Sequence, residues 1–148
     1  MNYCSLVVCF ILSLFGNETT QFVEFKKEQV VKVTEHGYTT ITLPFEVLEG
    51  YHVQSNSDIS GGLIATEITF EDNGNYTIVG QEFSLKQNET IVLDGVEHKV
   101  ISNRFEVTTT FKFIKNTSDA QLEGELYYQA CTDRQCLFPR ALNFQIPL

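Results

Sequence analysis

The sequence predicts an all-β fold, an immunoglobulin-like β-sandwich, on three observations. Apolar residues repeat at period two: Phe105, Val107, Thr109, Phe111 and Phe113 fall on one side, Glu106, Thr108, Thr110 and Lys112 on the other. That alternation is the mark of a strand with one face on a core and one in water. Similar β-branched and aromatic segments recur along the chain, separated by turn residues, at the spacing of roughly seven to nine sandwich strands. No segment sustains the 3.6-residue period of a helix. The chain has no Trp and no widely spaced cysteine pair after the N-terminal segment, so an antibody-type core is not expected.

In order, Val30–Thr34 is a β-branched strand ended by Glu35-His36-Gly37. Tyr38–Val47 alternates Tyr38, Thr40 and Thr42 against Thr39, Ile41 and Leu43, and Pro44 places it at an edge or a bulge. Glu49-Gly50 turns the chain into Tyr51–Gln54, a polar loop with Gly61-Gly62 follows, and Ile64–Phe70 is the next strand. Asp72-Asn73-Gly74-Asn75 reads as a hairpin turn into Tyr76–Val79. Gln81–His98 resists assignment, with Phe83, Leu85, Ile91, Val92 and Leu93 as isolated apolar points. Phe105–Ile114 is the clearest strand, Asn116–Ala120 a turn, Glu123–Ala130 a strand leading to a cysteine, and Leu142–Ile146 the last strand.

A chain of 148 residues fits one domain with a real core. Its 43% hydrophobic content, with twelve Phe and six Tyr, suits a packed globular protein. Net charge is −9 and the Lys and Arg residues are scattered, so nucleic acid, which needs a basic stripe, is not an expected partner. There is no Gly-rich phosphate loop and no nucleophile elbow, and no cofactor is expected. His36, His52 and His98 lack metal-ligand spacing with the cysteines.

Residues 1–16 carry no charge, and Cys4–Gly16 is an apolar run followed by Asn17-Glu18-Thr19-Thr20-Gln21. The run is too short to span a bilayer and matches the core of an export signal, although no Lys or Arg precedes it. The expectation is a signal over 1–16 and a β-sandwich domain over 17–148, periplasmic or secreted. No other run is long enough to cross a membrane. Cys131 and Cys136 would then be the only cysteines of the mature chain, an even number in an oxidising compartment. Asn17, Asn75, Asn88 and Asn116 head N-x-Ser/Thr triplets, which are glycan acceptors only in a eukaryotic secretory pathway.

The chemistry concentrates at Tyr127-Tyr128-Gln129-Ala130-Cys131-Thr132-Asp133-Arg134-Gln135-Cys136-Leu137-Phe138-Pro139. Four residues between cysteines form a loop whose ends reach the about 4.4–6.8 Å Cα separation that a disulfide needs. Closing so short a loop stabilises the fold by only roughly 2 kcal/mol. Two readings stand: a structural staple in a non-catalytic secreted domain that binds a partner or stiffens an envelope assembly, and a thiol–disulfide exchange pair. No Cys-x-x-Cys at a helix N-terminus lowers either thiol pKa, and Asp133 and Arg134 oppose each other in charge. The adjacent Tyr127 and Tyr128 point to opposite strand faces and are assigned to packing.

This cysteine hairpin resembles that of the N-terminal domain of the thiol–disulfide interchange protein DsbD. Gly50-Tyr51-His52-Val53-Gln54-Ser55-Asn56, about eighty residues upstream, is similar to the glycine–aromatic strand of that domain. The resemblance covers Val30 to Leu148. It implies an immunoglobulin-like domain on the outer side of a bacterial inner membrane, a protein-disulfide reductase component. Such a domain takes electrons from a membrane electron donor and passes them to thioredoxin-fold proteins. It also implies that Cys136 forms the intermolecular bond and Cys131 resolves it. A cap loop with an aromatic plug should fall within Gln81–His98; no aromatic aligns cleanly there, and Leu93 and Phe83 are the candidates. The membrane segment and thioredoxin-like domain fused to the best-known members have no counterpart in this sequence.

Overall fold

The computed structural model describes residues 20–57, 61–72, 74–86, 89–114 and 121–148. The first strands are β1 (Val23–Phe25), β2 (Val31–Glu35), β3 (Tyr38–Val47), β4 (His52–Gln54), β5 (Glu67–Phe70) and β6 (Tyr76–Leu85). They are followed by β7 (Glu89–Leu93), β8 (Val96–Ile101), β9 (Arg104–Phe113), β10 (Gln121–Tyr128), β11 (Ala130–Cys131) and β12 (Arg140–Pro147). A single 3-10 turn, Lys27–Gln29, separates β1 from β2, and the described residues contain no α-helix. No helix among them is long and apolar enough to cross a membrane.

The alternating segment forms β9, and its apolar side is the floor of the core. Phe105, Val107, Thr109 and Phe111 are buried to 1% exposure or less. β9 pairs antiparallel with β3 on one side, Thr39 opposite Phe111 through Glu46 opposite Arg104, and with β6 on the other. On the outer face the hydroxyls of Thr42 and Thr108 lie 3.0 Å apart and those of Thr40 and Thr110 3.2 Å, cross-strand pairs that fix the register.

The second layer is built from two smaller sheets, ordered β12-β10-β5 and β11-β4-β8-β7. β10 runs through Gln129 into β11, so one stretch of chain serves both sheets. The layers meet through aromatic rings: Phe45 on β3 against Phe144 on β12 at 5.9 Å, and Phe111 on β9 against Phe70 on β5 at 5.0 Å. Ile41, Leu43 and Phe45 pack there with Leu122, Leu126, Tyr128, Val53, Ile101 and Ala130 in one cluster. Each large side chain so buried contributes about 1.5–3 kcal/mol of transfer free energy. The arrangement is the immunoglobulin-like sandwich that the periodicity predicts.

Several elements differ from the sequence reading. The structure has twelve strands among the described residues, more than the seven to nine expected, because short pieces such as β1 and β11 are too brief to show a period. Pro44 sits in a central strand, not at an edge. Its carbonyl accepts the Lys26 N–H at 3.0 Å, so its nitrogen faces the gap where β1 gives way to β2 and no donor is required. The turn after β5 does not make a hairpin: β5 pairs with β10 and β6 with β9, in opposite layers. The unassigned Gln81–His98 stretch becomes the end of β6, which continues past a register shift between Ile78 and Gly80, and the β7–β8 hairpin. The expected turn at 116–120, the export signal and Asn17, Asn88 and Asn116 lie outside the described residues.

Candidate functional site

Cys131 and Cys136 are joined by a disulfide with Cα atoms 3.9 Å apart. This is closer than the usual bridge, and the ladder explains it. Thr132 N–H donates to the Gln135 carbonyl at 2.9 Å and Leu137 N–H to the Ala130 carbonyl at 2.8 Å. The cysteines are thus the facing pair between two hydrogen-bonded rungs, the position at which antiparallel Cα atoms approach most closely. The turn is held by the Thr132 hydroxyl, which lies 3.3 Å from the backbone N–H groups of both Arg134 and Gln135. Asp133, Arg134 and Gln135 are exposed on its tip.

The two sulfurs live in different surroundings. Cys131 is wholly buried, whereas Cys136 is partly exposed. Cys136 opens into a cavity of about 250 Å³ shared with Leu93, Asp94 and Val96 around the β7–β8 turn, His98, and Gly61 and Leu63 from the segment before β5. Gly61 adopts φ +68°, and a Cβ there would lie 3.3 Å from the His98 ring, so a side chain would crowd the cavity wall. Of the two cap candidates, Leu93 shares this cavity with Cys136. Phe83 lies on β6 in the other layer, the five-stranded sheet of β1, β2, β3, β9 and β6, stacked on Phe105 at 6.4 Å. The β7–β8 turn exists because Asp94 and Gly95 both take positive φ, +50° and +78°, the two-residue reversal that Asp-Gly favours.

Beneath the hairpin, β11 pairs with β4, setting Ala130 opposite Val53 and Cys131 opposite His52. The glycine–aromatic segment at 50–56 is therefore brought directly beside the cysteines. Gln54 is buried to 1% exposure and its Nε2 lies 3.3 Å from the Cys131 Sγ. Gln129 ties the return of the hairpin to the loop before β5: its Nε2 donates to the Leu137 carbonyl at 3.0 Å and its Oε1 accepts the Ile64 N–H at 2.9 Å. His52 is 5% exposed, and burial pushes its pKa below the ordinary histidine value, against the opposing pull of Asp133 and Glu89. Sequence reasoning weighed His52 only as a metal ligand and quoted Gln54 only as part of the 50–56 segment, with no role toward the cysteines for either.

Tyr127 and Tyr128 behave as strand alternation requires. Tyr128 is fully buried, accepts the Phe22 N–H at 2.9 Å and donates to Gln21 Oε1 at 2.7 Å, while Tyr127 is exposed. Burial raises the Tyr128 pKa above the ordinary phenol range, its hydrogen bond from Phe22 acting the other way. The three histidines lie on separate elements, His36 in the β2–β3 turn, His52 on β4 and His98 on β8. No group of three or more His, Cys, Asp or Glu residues that could hold a metal occurs among the described residues.

No protein-family model and no curated protein matches the sequence. Solved structures do match the fold. The N-terminal periplasmic domain of ScsB from Proteus mirabilis is similar with a TM-score of 0.55 at 15% identity, over 78% of this chain and 44% of that one. The Neisseria meningitidis DsbD N-terminal domain in the reduced form (16% identity, 82% of this chain and 86% of that one) and the yeast GGA1 GAE domain (10%, 88% and 96%) both score 0.41, too low to carry weight. The present chain spans less than half the length of the ScsB chain. At these identities the likeness is one of fold: this chain is folded like the N-terminal periplasmic domain of ScsB.

Proposed function

We propose that this protein is a thiol–disulfide exchange domain that passes electrons between thioredoxin-fold partners, one of them a membrane electron donor, through Cys131 and Cys136. The observation that carries the reading is the asymmetry of the hairpin, one sulfur buried and its partner open to a cavity at the surface. A staple has no use for that asymmetry. In an exchange site the accessible Cys136 forms the intermolecular bond and the enclosed Cys131 resolves it. A partner thiolate attacks the Cys136 sulfur, the Cys131–Cys136 bond breaks and its electron pair leaves on Cys131. Attack by the partner's second thiol on the mixed disulfide then releases Cys136 as a thiol. The partner dithiol is oxidised and the domain's disulfide reduced, two electrons each.

The likeness in fold to a periplasmic domain supports an extracytoplasmic setting, with residues 1–16 acting as an export signal. The protein recovered from its native compartment should then begin near Asn17 by mass spectrometry.

The test is trapping. Cys131→Ala, with Cys136 free, should form a mixed disulfide with an oxidised thioredoxin-fold protein from the same source, seen on a non-reducing gel. Cys136→Ala should trap little, because the remaining thiol is enclosed. If neither variant forms an adduct, the bond is a structural staple and the exchange reading fails.

A further inference from the structure

Where β11, β4 and the end of β8 meet, the four-stranded sheet is buried on both faces. One face, with Val53, Ile101 and Ala130, belongs to the apolar core. Strand alternation puts His52, Gln54, Val100 and Cys131 on the other, and all four are buried. Burying polar side chains costs free energy unless they are partnered, and packing alone would favour apolar residues at these places. Gln54 instead aims its amide at the Cys131 sulfur, 3.3 Å away. His52, directly across the ladder from Cys131, has an Nε2 with no hydrogen-bond partner among the described residues. A disulfide sulfur is a weak acceptor and a thiolate a strong one, so this pair has more to bind once the bond is open.

We propose that Gln54 and His52 set the protonation of Cys131 in the reduced domain, Gln54 donating an N–H to its thiolate and His52 accepting its proton. This rests on the exchange reading and assigns the chemistry of the resolving step. In the mixed disulfide between Cys136 and a partner, the Cys131 S–H proton passes to His52 Nε2 and the thiolate attacks the Cys136 sulfur. The Cys131–Cys136 bond forms, the Cys136–partner bond breaks, and the departing partner thiolate takes the proton from His52. Atoms and electrons balance without a further reagent. Burial keeps His52 neutral and able to accept; Asp133 on the cysteine turn and Glu89 on β7 favour its charged form once the proton arrives. Asp94, Arg134 and His98 are the other titratable or charged groups around the neighbouring cavity.

The experiment titrates Cys131 alone, in the Cys136→Ala protein, by thiolate absorbance and alkylation rate against pH. Cys131 should titrate below the ordinary thiol value of about 8.5 in spite of its burial. Gln54→Met should raise that value by about one unit, and His52→Phe should slow alkylation at neutral pH severalfold. Gln54→Glu, which sets a carboxylate against the sulfur, should raise the thiol pKa further and serves if the Met variant does not fold. Titration curves that superimpose on the parent's in these variants overturn the proposal, since a packing role would leave the thiol pKa unmoved. The measurement uses no partner protein, so its failure is separate from a failure of the Cys131→Ala trap.

Discussion

Single residues around the disulfide make its environment, and their importance lies in contacts distant in sequence. Gln54 and His52 are separated from Cys131 by more than seventy residues and meet it only through the pairing of β4 with β11. No local pattern distinguishes a glutamine that faces sulfur from one that faces water, which is why the role of neither was legible even though the 50–56 segment itself stood out. Cys131 and Cys136 were legible, because two cysteines with only four residues between them announce themselves. The buried His52 also has a consequence for stability. Its folded-state pKa is depressed, so the unfolded chain binds the proton more readily, and the stability present above about pH 6.5 is lost as pH falls through the folded-state value. Chemical denaturation of the wild type should show a stability loss beginning below about pH 6.5, ahead of the carboxylates. His52→Gln should flatten that part of the curve; a curve of unchanged shape would show that His52 is protonated without cost.

Elements were readable in proportion to how one-sided they are. β9, apolar on one face and polar on the other, stands out at once, whereas β7 and β8 are half exposed and leave scattered apolar points. Their turn did carry a signal, Asp94-Gly95, that composition of the flanking residues obscured. The turn after Phe70 shows the opposite failure: turn residues say that a chain reverses, not which strand it will pair with. On β10, Gly124 lies beneath the Phe144 ring of β12, where a Cβ would come within 2.4 Å of the ring and 3.0 Å of the Thr69 carbonyl oxygen. The ring covers the place where a side chain would stand. Gly124→Ala should therefore destabilise the domain by about 1–3 kcal/mol through overpacking, measured by urea denaturation. A neutral effect would mean that Phe144 swings aside freely.

At the scale of the whole molecule the fold was legible and its wiring was not. Period-two alternation implied a sandwich, while the division of the second layer into two sheets, with the chain passing between them at Gln129, depends on long-range register alone. The disulfide closes one short loop outside the aromatic contacts between layers, so its reduction should cost about 2 kcal/mol and leave the far-UV circular dichroism spectrum unchanged. Unfolding on reduction would show instead that the sandwich depends on the bond. The passage from β10 to β11 has a further consequence. Tyr128 and Ala130 are both fully buried, one on each side of Gln129, so the strand leading to Cys131 is clamped in the core until the last residue. Backbone opening at this site is then a matter of global unfolding, while the exposed tip at 133–135 is free to fray. In amide hydrogen–deuterium exchange, the segment ending at Ala130 would keep its protection through oxidation and reduction alike, and the isotope would enter at the tip: a moving jaw on a fixed hinge-pin, rather than a loop that melts when its bond is cut.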